Sequence, residues 1–160
     1  MKTEVDRLEE QLLRALQGEA WHGPSVLELL DGVTADQAAA HPIAGAHSIW
    51  ELILHLTTDY GLVLRRIAGD ARELTMTDAW PAVPVTTEEK WRETVRALRE
   101  LNTELRHAVR SFPPERLDER LVPEPPYTAY TQFIGVTQHA AYHAGQIAIL
   151  KKALASADPS

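Results

Sequence analysis

The sequence predicts an all-α fold, a four-helix bundle with long crossover connections, and three observations carry that prediction. Helix-start signatures recur along the chain. Four long segments place apolar residues at the i, i+3, i+4, i+7 spacing of a buried helix face, and no segment sustains the period-two alternation of a strand. With 160 residues, 44% hydrophobic and 24% charged, the chain has the size and balance of one domain spanning residues 1–160 and can bury a core without covalent staples.

The starts are marked by capping boxes, in which a Ser or Thr and a Glu or Gln three residues later satisfy backbone donors that the first helical turn leaves unpaired. Ser25 with Glu28, Thr34 with Gln37, Ser48 with Glu51 and Thr86 with Glu89 all match, and Thr3 with Asp6 is a weaker relative. The first long helix is expected over about residues 4–17, with Val5, Leu8, Leu12 and Leu16 on one stripe and Gly18 after it. The second follows Ser48 to about residue 68, its stripe Ile49, Leu52, Ile53, Leu56, Tyr60, Val63 and Ile67, with Gly69 as the stop. The third runs over about residues 88–112, on Trp91, Val95, Leu98, Leu105, Val109 and Phe112 with Asn102 the polar member, and ends at Pro113-Pro114. The fourth runs over about residues 129–154, after the proline-rich loop Pro123-Glu124-Pro125-Pro126.

The connections are too long for a simple up-and-down hairpin bundle. About 30 residues with two short helical turns separate the first two helices. About 18 residues, with Trp80, Pro81 and Pro84, separate the second and third. Sixteen Lys and Arg against 23 Asp and Glu give a net charge of -7, the wrong sign for tracking phosphate backbones, so nucleic acid is not an expected partner. The first residues are charged with no apolar leader, and no apolar run reaches the ~18–20 residues of a membrane span, so a cytoplasmic setting without membrane contact is expected. The absence of cysteine excludes disulfides, thiolate metal ligands and a cysteine nucleophile.

The segment richest in chemistry is Gln138-His139-Ala140-Ala141-Tyr142-His143-Ala144-Gly145-Gln146. His139 and His143, four apart, project from one helix face, within about 60° of the stripe Val136, Ala140, Ile147 and Leu150. Two inward imidazoles need partners, because a buried polar group without one costs ~1–3 kcal/mol. A shared metal ion supplies them, and so do separate hydrogen bonds to carbonyls or carboxylates. The pair is not a zincin motif, since Ala140 stands where the general-base glutamate belongs. A third ligand is not selected by position alone. His55 lies about 120° from the centre of its stripe, flanked by Glu51 and Asp59. His41, His47 and His107 read as surface residues, and His22, in Trp21-His22-Gly23-Pro24, stays open. Two Glu-x-x-His pairs, Glu19 with His22 and Glu104 with His107, raise a di-iron reading, but the second points away from its helix seam and the first sits at a helix end.

The combination of Ser48-Ile49-Trp50-Glu51-Leu52-Ile53-Leu54-His55 with His139-Ala140-Ala141-Tyr142-His143-Ala144-Gly145-Gln146-Ile147 resembles the DinB family, the DinB/YfiT-like metalloenzymes. The resemblance covers nearly the whole chain, and it implies that His55, His139 and His143 bind one divalent transition metal, zinc or nickel, at one end of a four-helix bundle that often forms a homodimer. It also implies a small-molecule substrate and, as the favoured activity, a thiol S-transferase or detoxification-type enzyme in which the metal activates an external low-molecular-weight thiol. A metal-dependent hydrolase using metal-bound hydroxide, or a non-catalytic bundle that binds metal or a small molecule, are the alternatives. Among outer partners for the ring N–H groups of the ligands, Gln146 and Asp59 rank first. Trp21, Trp50 and Tyr142 are expected in the core or lining a pocket.

Overall fold

The computed structural model describes residues 1–157 and is all-helical, with elements α1 (Glu4–Leu16), α2 (Val26–Leu30), α3 (Ala35–Ala39), α4 (Ile49–Ile67), α5 (Met76–Ala79), α6 (Glu88–Arg110) and α7 (Ala129–Ala157). A single 3₁₀ turn, Pro114–Arg116, follows α6. The four long helices are the four expected, and α2 and α3 are the two short turns between the first pair. Among the described residues no strand forms, only isolated bridges at Ala20 with Gly23 and Arg120 with Thr128.

The caps explain the helix starts. Thr3 with Asp6, Thr34 with Gln37 and Ser48 with Glu51 form reciprocal boxes, and the Ser25 N–H donates to the Glu28 carboxylate at 2.8 Å. A further box, Thr75 with Asp78, opens α5. The start of α6 differs from expectation: Thr87, not Thr86, is the cap, and its hydroxyl accepts from the Lys90 N–H at 3.2 Å. Lys90 occupies the third helical position there, so no carboxylate returns the bond. At the other end of α4, Gly69 adopts φ +85°, a left-handed conformation that stops the helix where the sequence places the stop.

The long helices form a ring in which α1 packs on α6 and α7, and α4 packs on α6 and α7. Residues adjacent in space give the directions. Leu12 and Glu9 of α1 meet Asn102 and Arg106 of α6, so α1 and α6 are antiparallel. Asp59 and Arg66 of α4 meet His139 and Gln132 of α7, so these are antiparallel too. Trp50 of α4 meets Thr94 of α6, while Tyr60 lies beside Asn102, so α4 and α6 run parallel. Two consequences follow for the connections. Residues 17–48 and 111–128 join diagonal helices, and residues 68–87 travel back along the bundle to let α6 start at the same end as α4.

The core is contiguous from Leu8, Leu12 and Leu16 through Ile49, Trp50, Leu56 and Tyr60 to Leu98, Leu105, Phe133 and Ile147. Three of its polar side chains are tied. Trp50 Nε1–H donates to Thr94 Oγ1 at 3.0 Å, Trp91 Nε1–H donates to the Val33 carbonyl at 2.8 Å, and the buried Asn102 amide donates to the Leu12 carbonyl at 3.3 Å. The Tyr60 hydroxyl lies beside Asn102 without a hydrogen bond of good geometry, and burial pushes its phenol far above the usual range, so it stays neutral. No helix among the described residues is long and apolar enough to cross a membrane.

Leu105 is fully buried on α6, whereas its neighbour Glu104 is exposed. Leu105→Ala is therefore expected to lower unfolding free energy by about 2–5 kcal/mol in urea titrations, and Glu104→Ala to stay within about 0.5 kcal/mol of the parent.

Candidate metal centre

The second turn of α4 and the middle of α7 bring His55, His139 and His143 together. His139 Nε2 lies 3.0 Å from His55 Nε2 and 3.0 Å from His143 Nε2, and the three nitrogens all fall within 4.8 Å of one another. His55 deserved no selection on helical position, yet it is buried, at 8% exposure. The reason is a neighbour the helix wheel does not contain: the returning segment between α4 and α6 lays Trp80 flat on its ring, centroids 4.0 Å apart and planes within 9°. Trp80 is itself covered on its other face by His47, at 3.7 Å and 9°. Such stacking contributes about 0.5–1.5 kcal/mol beyond burial and fixes the plane of the His55 imidazole.

Hydrogen bonding decides which ring nitrogens face the centre. His55 Nδ1–H donates to the Ala79 carbonyl at 2.7 Å, because a carbonyl can only accept. His143 Nδ1–H donates to Gln146 Oε1 at 2.6 Å. With a proton on each Nδ1, the Nε2 atoms of the neutral rings carry lone pairs, and both lone pairs point at the nitrogen of His139. Burial pushes the His143 imidazole down to about 4, with the neighbouring His139 and His55 adding to the depression and the Gln146 bond opposing it, so His143 is neutral near pH 7. One proton on His139 Nε2 cannot satisfy two lone pairs at once. A cation can. The site therefore fits a divalent metal on its own donor chemistry, with outer partners holding the ligating tautomers. His55, His139 and His143 would hold such an ion through their Nε2 atoms, and the ion would supply Lewis acidity there.

Asp59 occupies that neighbourhood in a different role from the one expected. Its Oδ2 stands 2.9 Å from His139 Nε2 and 3.3 Å from His55 Nε2, on the converging side of the rings and not behind them. Gln146 is the outer partner the sequence suggested. The burial is graded: His143 is 4% exposed, while the His139 side chain keeps 35% of its surface. The open approach therefore passes His139.

The remaining candidates lie elsewhere. His41 Nε2 is 3.0 Å and His47 Nδ1 3.6 Å from the Glu51 carboxylate, with both side chains about half exposed. Glu104 and His107 are exposed on α6, and His22 is exposed beyond α1, so the di-iron reading has no assembled donor set. The aromatic expectations divide three ways. Trp50 is core, Tyr142 is exposed with its ring 5.2 Å from His143, and Trp21 is fully exposed and lines, with His22, Ile134 and Gln138, a surface pocket between α1 and α7. Sequence reasoning missed Trp80 and the Ala79 carbonyl. The only signal was an aromatic residue in a proline-containing connection, 25 positions from the histidine it covers.

A sequence model described as the DinB superfamily matches residues 9–147, which include all three histidines. The chain belongs to the DinB superfamily. No curated protein and no solved structure gives a significant match. DinB membership agrees with the helical bundle and with a three-histidine cluster compatible with metal binding.

Elemental analysis checks the centre. About one equivalent of divalent metal per chain is expected in the parent, with loss in each of His55→Ala, His139→Ala and His143→Ala. Gln146→Leu, which removes only the outer partner of His143, is expected to weaken metal affinity by about 10–100-fold. Metal retained in all three alanine variants contradicts the assignment.

Proposed function

We propose that this DinB protein is a metal-dependent thiol S-transferase of detoxification type, in which His55, His139 and His143 hold one divalent ion, zinc or nickel, and a low-molecular-weight thiol is the cosubstrate. The observation that supports it is the convergence of three Nε2 atoms, two of them with their Nδ1 protons already committed to the Ala79 carbonyl and the Gln146 amide. A bound divalent ion supplies Lewis acidity, which favours thiolate over thiol at neutral pH.

The residues of the chain supply the rest. The imidazoles add no negative charge, and Asp59 is the one carboxylate beside the converging nitrogens, so a bound ion would keep net positive charge for an incoming anion. Asp59, beside the three nitrogens, is placed to accept the proton that the thiol releases. The sulfur then forms a bond to an electrophilic carbon. In an addition the proton held by Asp59 passes to the product, and in a substitution it leaves with the departing group. The chain has no cysteine, so the sulfur nucleophile has to come from outside. Assembly as a homodimer and a cytoplasmic setting belong to the same reading.

The test is consumption of an activated aryl halide, 1-chloro-2,4-dinitrobenzene, with and without added cysteine or glutathione, on protein loaded with zinc or nickel. Thiol-dependent turnover is expected, lowered at least 100-fold in His139→Ala and at least tenfold in Asp59→Asn with the metal retained. Turnover of ester substrates without thiol favours a hydrolase instead, and metal uptake with no turnover under either condition favours a non-catalytic binding bundle.

A further inference from the structure

A groove of about 320 Å³ opens between α4 and α7 and ends at the candidate metal centre. One wall is Asp59, Leu62, Val63 and Arg66, at the i, i+3, i+4, i+7 spacing of a single helix face, and the opposite wall runs from Gln132 past Val136 to His139. Each wall spans seven residue steps, about 10.5 Å of helix. The walls are mostly apolar, and the polar groups sit at the two ends: Asp59 with His139 at one, Arg66 with Gln132 at the other.

Arg66 has one hydrogen bond among the described residues, from its guanidinium to the Gln132 carboxamide oxygen at 3.1 Å. A guanidinium carries five donors, so most of them remain for another acceptor. Partial burial lowers its hold on the proton, and the neighbouring Arg65 adds to that, while Glu73 and Asp59 lie near enough to favour its charge without forming an ion pair with it. A cation half out of water at the end of an apolar groove gains from a carboxylate that binds it through two N–H groups. Gly135 of α7 lines the groove, and a Cβ built there meets no heavy atom within 4 Å, so a larger side chain at this position would project into open groove space.

We infer that the α4/α7 groove binds a small amphiphilic carboxylate, its carboxylate on Arg66, its apolar stem along Leu62, Val63 and Val136, and its far end at His139 and Asp59. This deepens the proposed function, resting on that reading for the chemistry at the far end, and it names the substrate class: an electrophile or a thiol that carries a carboxylate about 9–10 Å from its reacting atom.

The test uses octanoate, whose chain is close to the groove length, and its neutral isostere octanamide, titrated by calorimetry into the full chain in both metal-free and metal-loaded form. Octanoate is expected to bind at one site at least tenfold more tightly than octanamide. Arg66→Gln is expected to abolish that preference, Arg66→Lys to restore part of it, and Gly135→Val to remove binding of both ligands, with helical content and metal uptake as in the parent. Equal octanoate affinity in the parent and Arg66→Gln, or no octanoate binding by the parent, overturns the inference. A groove closed by a second copy of the chain gives the latter result together with a dimer in sedimentation. The metal-free arm separates the two readings, because groove binding without thiol-dependent turnover leaves the inference standing and the transferase reading fallen.

Discussion

Two imidazoles that each aim an Nε2 lone pair at the Nε2 of a third, 3.0 Å away, form an arrangement that hydrogen bonding alone does not satisfy, because the shared nitrogen has at most one proton for two lone pairs. The surrounding structure sustains this conflict where it could relieve it. Ala79 and Gln146 occupy the outer nitrogens of His55 and His143, and Trp80 holds the His55 ring in plane, so neither ring can turn its lone pair elsewhere without giving up a bond or a stack. Preorganisation of this kind lowers the cost of ordering ligands when a cation binds, since tautomer and rotamer are already chosen.

The bundle topology explains how a loop comes to take part. Antiparallel neighbours can be joined by a short turn, but α4 and α6 run parallel, and a parallel pair needs a connection as long as the helices themselves. Residues 68–87 make that return along the outside of α4. They pass Thr57, Gly61 and Arg65 and bring α5 and Trp80 over the second helical turn, where His55 sits. The requirement to start α6 at the same end as α4 thus places both the Ala79 carbonyl and the Trp80 ring at the centre. The polar contacts between helices, Arg106 with Glu9 and Asn102 with the Leu12 carbonyl, hold the α1–α6 pair in register on the far side of the bundle.

Charge is divided between the interior and the approach. The overall charge of -7 favours the capture of a cation. At the centre Asp59 supplies the carboxylate beside the converging nitrogens, 2.9 Å from His139 Nε2 and 3.3 Å from His55 Nε2. Arg66, seven residues further along the same face, sets a positive end to the groove. A helix with carboxylate and guanidinium two turns apart on one apolar stripe orients a polar molecule along its axis.

The sequence by itself determined the helices, because a helix is a local object: its caps are three residues apart and its apolar stripe repeats every three or four. That is why Thr3 with Asp6, Ser48 with Glu51 and the stop at Gly69 were legible, and why the one shift, from Thr86 to Thr87, is a single residue at a position with two threonines in a row. The pairing of His139 with His143, and the bond from His143 to Gln146, were legible for the same reason. His55 was within reach only through family resemblance, since its place on the flank of its stripe argued neither for nor against burial. Tertiary structure alone decided that Trp80 and the Ala79 carbonyl close over it, that Asp59 stands inside the centre and not behind it, and that Arg66 faces the groove. Those contacts join segments far apart in the chain or depend on the packing of α4 against α7, and no local periodicity encodes which partner a helix face will meet.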